Sequence, residues 1–470
     1  MDSTKQTRMS GGSPDKDRDS TEQTRMSGRS PDKDRSDYQQ LDATDLAASV
    51  RSGDVSPAEL AELARERYLA TNDDLNAIVE WYTDPTPVST TTGPLAGVPF
   101  LVKDYGSAEA GRLVQMGSRL GVNNRATTTA RFISRLQDAG AQILGRTAAP
   151  EFVQHGATES QLNGITRNPH NLERSPGGSS GGAGAAVAAG VVPVAHGSDC
   201  AGSIRIPAAT CGLVGLKPGL QRIRLDDGGW GGIANEFVLS RTVRDSRLFL
   251  DVLGDGPYSA TPDRPLRIAM NTDHWSGADE DEEVVAATRA TADRLRSLGH
   301  EIVVVPPPVD YEKLMGTFLA LFHKWVVHDV DRLVASGGVE SDETLEPLTR
   351  RVLARLRRLT MEDTLEAEVA GGELTMDLER AMEGFDLLLT PTLARSEIPI
   401  GVLAGDVDDY DEYLRLNDEI FAYNYLFNVS GWPSMSVPAG ENSNGMPIGV
   451  QLSAALGSEH VLLDLAESLG

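Results

Sequence analysis

Residues 177–218 read GGSSGGAGAAVAAGVVPVAHGSDCAGSIRIPAATCGLVGLKP, and this stretch decides how the rest of the chain is understood. Two serines, Ser179 and Ser203, stand in glycine-rich turns, where backbone and substrate can approach closely. The run Asp199-Cys200-Ala201-Gly202-Ser203 leads into a helical pattern, and successive N–H groups there can point at a developing oxyanion. Serine needs a base to act as a nucleophile near neutral pH, and neither serine has a histidine evidently placed for that work. A lysine can substitute if it is desolvated and neutral.

Lys103 meets that demand. It is one of only seven lysines in a chain that otherwise uses arginine, and it ends the apolar run Val98-Pro-Phe-Leu-Val. A lysine at a buried strand end has its charged form disfavoured. The alternative is a lysine paired with Asp104 or set at a helix terminus.

Outward from these residues, the pattern alternates strand and helix. Asp42-Ala-Thr-Asp-Leu and Ser56-Pro-Ala-Glu-Leu read as capped helix starts, the second with Glu59 placed to complete a capping box. Residues 94–103 form a turn into a short strand, Ala130–Ala139 an amphipathic helix stopped by Gly140, and 141–145 a strand. The glycine-rich loop at 176–190 runs into a helix of very small residues. Val191–Ala195 is expected as a buried strand, and 197–218 as loop and helix. Strands are expected at Leu266–Met270, Glu301–Val305, Leu387–Thr390 and Ser434–Val437, with charged helices over 307–380. No linker interrupts 39–470, which reads as one α/β domain. Ahead of it, residues 3–18 and 20–35 are near-copies with a period of 17 and almost no apolar side chains. Residues 1–38 are therefore expected to be disordered.

The chain has 43 Lys+Arg against 69 Asp+Glu, a net charge of −26. Residues 1–38 carry eight of each sign, so the whole excess belongs to the domain. Such a surface repels phosphate, which argues against nucleic acid or anionic membrane as a partner. It suits a salt-rich cytoplasm, where ions screen the repulsion. Two cysteines, Cys200 and Cys211, make no disulfide scaffold and read as reduced and intracellular. No apolar run reaches the ~18 residues of a membrane span, and the N-terminus has no signal-peptide core. The eight histidines include no pair at i, i+4 and no HExxH, so no metal is expected.

The motifs resemble those of the amidase signature family. Gly177-Gly-Ser-Ser-Gly-Gly182 and Asp199-Cys-Ala-Gly-Ser-Ile-Arg-Ile-Pro-Ala208 match its two hallmarks. They are joined in order by GPLAGVPFLVKD (93–104), GRTAAPEF (145–152), NGITRNPHN (163–171), GLVGLKPG (212–219), DLLLTPT (386–392) and FNVSGWPSMSVPAG with GMPIGVQL (427–452). The resemblance implies an α/β/α sandwich on a large mixed twisted sheet and hydrolysis of a small-molecule amide without metal or cofactor. It implies Lys103 as base, Ser179 as bridging serine after a cis peptide at Gly178, and Ser203 as acyl-enzyme nucleophile. Backbone N–H groups of Cys200, Ala201, Gly202 and Ser203 are implied as the oxyanion hole, with Ser180, Asp199 and Arg205 as supports. Ala201 departs from the family, which usually has glycine there. Cys200 reads as a small filler.

Within the family, the stretches TRNPHN and AHGSDCAGSIRIPA resemble amidases of linear and cyclic amides, including nylon-oligomer hydrolases. The rivals are the glutaminase subunit of a tRNA-dependent amidotransferase and a catalytically silent scaffold. Gly177-x-Ser179-x-Gly181 also matches a nucleophile elbow, but 168–176 is a polar turn and not the strand an elbow requires. Met116, Trp230, Phe318, Trp325 and Tyr425 are candidates for the substrate pocket, and His155 and His196 flank the glycine-rich segments. A homodimer is left open.

Overall fold

The structure, a computed structural model, describes residues 38–470 apart from 227, 228, 230, 231, 257 and 406–408, and the side chain of His323. The expected disordered repeat and Trp230 lie outside the described residues. Tyr38, placed by the sequence in the tail, is buried and its hydroxyl donates to Val191 O at 2.7 Å, so this residue packs with the domain.

Thirteen strands are described: β1 (Ile78–Trp81), β2 (Pro99–Lys103), β3 (Gln142–Thr147), β4 (Glu159–Ser160), β5 (Gly164–Ile165), β6 (Val194–Asp199), β7 (Val214–Lys217), β8 (Asn235–Ser240), β9 (Arg267–Met270), β10 (Glu301–Val304), β11 (Leu387–Pro391), β12 (Ser434–Glu441) and β13 (Pro447–Ser453). Eleven form one sheet in the order β1-β3-β2-β6-β8-β7-β12-β13-β11-β9-β10, and β4 and β5 form a small hairpin. β2 runs parallel to β3 and β6, and β9 runs parallel to β10 and β11. The centre, from β6 through β13, is antiparallel. Helices cover both faces, giving the expected α/β architecture on a mixed sheet.

Local chemistry sets the helix ends. Asp42 accepts from Asp45 N ahead of the helix Ala43–Ser52. Ser56 and Glu59 form a reciprocal capping box ahead of the helix Pro57–Leu75. Arg131–Asp138 buries Phe132, Ile133 and Leu136 on one face.

Two expectations need correction. The strand after the glycine-rich segment is β6, beginning at Val194 and running on to Asp199, because its pairing with β8 spans that whole length. Residues 197–218 also contain β7, which the sequence left within loop and helix.

The helix Gly181–Ala188 positions the site. Every residue from Gly181 to Val187 is buried. A Cβ on Gly182 would lie 2.5 Å from Ala148 N and 2.6 Å from Ala77 O, so only glycine lets the helix approach the ends of these neighbouring segments. A second apolar core joins the helices Tyr311–Ala335, Pro347–Leu356, Met361–Ala381 and Tyr410–Phe421 to the loops that follow β2 and β3.

Candidate active site

Lys103 ends β2 and is 2 % exposed. Its Nζ lies 2.7 Å from Ser179 Oγ, 2.9 Å from Ser180 Oγ and 2.9 Å from Ser198 Oγ. No carboxylate is among these partners. Burial lowers its pKa from 10.5 to about 7, and nearby Cys200, Asp199 and Glu236 offset only part of that. Asp104 is held elsewhere, by Arg146 at 2.5 Å and the N–H groups of Gln115 and Gly117, which removes the ion-pair alternative for Lys103.

The hydroxyl network constrains the protons. Ser180 Oγ lies 3.3 Å from Ser198 O and donates to it, so Ser180 accepts from the amine. A neutral amine has two N–H donors and one lone pair. With the amine neutral, two of the three contacts are its N–H donations and the third, to Ser179 Oγ or Ser198 Oγ, can meet the lone pair.

The peptide bond between Gly178 and Ser179 is cis. Thr158 clamps this turn, its hydroxyl donating to Gly177 O at 2.9 Å and accepting from Gly181 N at 3.0 Å. Thr210 Oγ1 donates to Pro176 O at 2.7 Å. Ser198, Thr158 and Thr210 were not singled out from the sequence, where isolated hydroxyl residues carry no spacing signal.

Ser203 is 4 % exposed and borders a cavity of about 50 Å3. Its carbonyl accepts from Ser180 N at 3.3 Å. Among the described residues, no hydrogen bond joins the Ser179 and Ser203 hydroxyls, so the structure pairs Lys103 with Ser179 and sets Ser203 in the cavity wall.

The loop before Ser203 hangs on a buried ion pair. Asp199 and Arg205 are both fully buried. Arg205 donates through Nε to Asp199 Oδ2 and through Nη2 to Oδ1, each at 2.9 Å. Burial alone would raise the Asp199 pKa, but the Arg205 guanidinium holds it far below the usual carboxylate range. Arg205 reaches on to Gln451 Oε1 at 2.8 Å and Asn428 Oδ1 at 2.6 Å, and Asn428 donates back to Asp199. Asn428 and Gln451 lie more than 200 residues away in the chain, inside the stretches FNVSGWPSMSVPAG and GMPIGVQL, where the sequence reading singled out neither.

Gly202 requires a correction. Its N–H donates to Asp199 Oδ1 at 2.8 Å, so it braces the loop and does not face the cavity. Its φ of 103° makes that turn, and a Cβ there would lie 2.7 Å from the Asn424 side chain. The N–H groups of Ala201 and Ser203 have no acceptor among the described residues. Cys200 is buried, which pushes its thiol well above the ordinary range and leaves it an inert filler.

Of the proposed pocket residues, Phe318 and Tyr425 border the Ser203 cavity, as does Ala201. Met116 and Trp325 border a separate, larger cleft of about 860 Å3. His155 lies in the Ser203 cavity wall, where burial lowers its pKa to about 4 and keeps it neutral. His196 lies beneath the site, its Nδ1 3.3 Å from Lys103 N and its Nε2 3.3 Å from Glu236 Oε2. Among the described residues, no Asp, Glu, Lys or Arg borders the Ser203 cavity. Among the described residues, no cluster of three His, Cys, Asp or Glu side chains could hold a metal ion.

A buried amine with a lowered pKa on one serine, with a second serine in an apolar cavity nearby, is the arrangement of serine hydrolases that use lysine where others use histidine. The sequence pattern of the amidase family covers residues 67–463, and the chain belongs to that family, whose members hydrolyse amide bonds. It is 36 % identical over 467 residues to 6-aminohexanoate-cyclic-dimer hydrolase of Paenarthrobacter ureafaciens, covering 91 % of this chain and 94 % of that protein. It is 33 % identical over 448 residues to an acylamidase of Rhodococcus erythropolis, covering 88 % and 91 %. A solved 6-aminohexanoate cyclic dimer hydrolase with bound substrate superposes with a TM-score of 0.84 at 32 % identity, covering 92 % of this chain and 96 % of that one.

Proposed function

We propose that Ser203 is the acyl-enzyme nucleophile of an amidase acting on uncharged amides, with Ser179 relaying its proton to Lys103. The observation that carries this reading is the 2.7 Å contact between Ser179 and an amine whose pKa burial lowers to about 7. Lys103 takes the Ser179 proton as Ser179 takes that of Ser203. The Ser203 Oγ–carbon bond forms, and the N–H groups of Ala201 and Ser203 receive the oxyanion. The relay then returns a proton to the amide nitrogen as the carbon–nitrogen bond breaks. Water follows the same path and releases the acid. Asp199, Arg205, Ser180 and Gly202 hold the loop, and Cys200 fills space beneath it.

The cavity's lack of charged side chains favours a neutral acyl group. It offers no counter-charge for the ammonium and carboxylate of glutamine, which disfavours a glutaminase role. The cyclic-dimer hydrolase and the acylamidase are named for amides, in keeping with this substrate class. The intact Lys103, Ser179 and Ser203 set disfavours a silent scaffold. A fluorophosphonate probe is expected to label the wild type and not Ser203→Ala; labelling that persists in the variant means the nucleophile lies elsewhere.

The net charge of −26 and the two free cysteines support a salt-rich cytoplasm as the working environment. The melting temperature is then expected to rise with added KCl, and a flat response removes that reading. Among the described residues no helix is long and apolar enough to cross a membrane.

A further inference from the structure

The helix Met361–Ala381 has two opposed apolar faces. Ala367, Gly371, Leu374 and Leu378 are buried. A Cβ on Gly371 would lie 3.5 Å from Val429 Cγ1 and 3.8 Å from Leu321 Cδ1, so this face packs inward. Met361, Leu365, Val369 and Met376 are instead between 51 % and 76 % exposed. At 3.6 residues per turn these four and the exposed Gly372 fall in one stripe about 80° wide and about 22 Å long, on the side opposite the buried four. Single exposed apolar side chains are ordinary, but four aligned on one helix mark a surface that something covers.

Gly372 is a second observation at the same place. Glycine weakens a helix interior, and a Cβ here would meet nothing within 4 Å among the described residues. Packing within the chain therefore does not call for it, and the missing side chain is explained by what approaches from outside. The charges narrow the choice of partner. Arg358 and Glu379, at opposite ends of the stripe, are exposed and have no ion-pair partner among the described residues. Their neighbours Arg357 and Arg380 are already paired, with Glu340 and Asp377.

We propose that a second copy of this chain covers the stripe, the two helices running antiparallel about a twofold axis beside Val369. The stripe complements itself in that arrangement. Met361 meets the partner's Met376, Leu365 enters the gap above the partner's Gly372, and Arg358 reaches the partner's Glu379; symmetry makes each contact twice. The helix carries seven Asp and Glu against one Arg, so its remaining acids repel across the axis and association strengthens as salt screens them. A strip about 22 Å long on one helix covers less than the ~800 Å2 per partner of a standard interface, so a reversible dimer with a micromolar dissociation constant is expected. The proposal is independent of the amidase reading.

The test is sedimentation of the full chain over a concentration series at low and high KCl. The expected result is a monomer–dimer equilibrium that moves toward dimer with salt. Val369→Glu and Gly372→Leu should each weaken it about tenfold or more while circular dichroism shows both folded. Arg358→Glu should weaken it, and Arg358→Glu/Glu379→Arg should restore it, which only the antiparallel register explains. A short bismaleimide should join two Val369→Cys chains but not two Met361→Cys chains, whose sites lie about 22 Å apart across the axis; the native Cys200 and Cys211 are buried. A monomer at every concentration and salt, a dimer indifferent to Val369→Glu and Gly372→Leu, or coupling through Met361→Cys in preference to Val369→Cys overturns the proposal. A monomer whose Val369→Cys thiol reacts with a soluble maleimide only after residues 1–37 are removed gives the stripe to that segment and overturns it likewise.

Discussion

Titrating Lys103 separates a buried neutral base from an ordinary lysine. A drop in pKa from 10.5 to about 7 corresponds to about 5 kcal/mol in favour of the free amine. The competent fraction is then about one tenth at pH 6 and about nine tenths at pH 8, so kcat/KM on a non-ionising amide should rise about tenfold and level off. A lysine left at 10.5 would keep the rate climbing about tenfold per pH unit through pH 9. Stability supplies a second readout. The folded pKa lies below the unfolded one, so unfolding takes up a proton between about pH 7 and 10.5. The wild type therefore gains about 1.4 kcal/mol per pH unit across that window, and nothing from this group below it. Lys103→Met removes that slope along with turnover. Lys217, also buried and lowered to about 7, is present in both proteins and cancels in the difference. A kcat/KM midpoint above pH 9, or a stability difference between wild type and variant that does not change with pH, refutes the reasoning.

Asp199→Asn strips the charge from a buried pair and leaves Arg205 uncompensated, which should cost about 3–5 kcal/mol and appear as a large fall in melting temperature. In the wild type that contribution is present above the usual carboxylate range and is lost only as pH falls through the depressed Asp199 value; an unchanged melting temperature would show the pair to be dispensable. Ala201→Gly removes a methyl from the wall beside Ser203. The kcat/KM ratio of branched to linear acyl amides should rise about tenfold, and a constant ratio would place Ala201 outside acyl selection.

The proposed reaction machinery is legible in the chain because it is local. Lys103 closes a five-residue apolar strand, and Ser179 and Ser203 lie in glycine-rich turns that few other structures need. Gly202 misled, since an N–H in a run of N–H groups looks available until φ is known. β8 was missed because its place between β6 and β7 is set by two partners and not by its own alternation; all six of its residues are buried, which erases the period-two signal. The cavity wall was only partly readable. Phe318, Trp325 and Tyr425 all look like the buried side of a helix, and only packing separates the two that meet Ser203 from the one that faces another cleft.

The helix of small residues after Ser179 has an evolutionary consequence. A Cβ on Gly182 collides with the main chain of Ala148 and Ala77, and one on Gly181 or Gly184 crowds Thr158 or Pro207, so the glycines of this helix leave no room for added side chains. Variation in that segment is closed off, and with it variation in the serine–lysine geometry. The acyl wall comes largely from helices between residues 311 and 429, whose large side chains can exchange volume with one another. New substrates are therefore reachable by changing those helices while the chemistry stays fixed. Libraries diversified there should retain folded, probe-reactive members at far higher frequency than libraries diversified over 177–188.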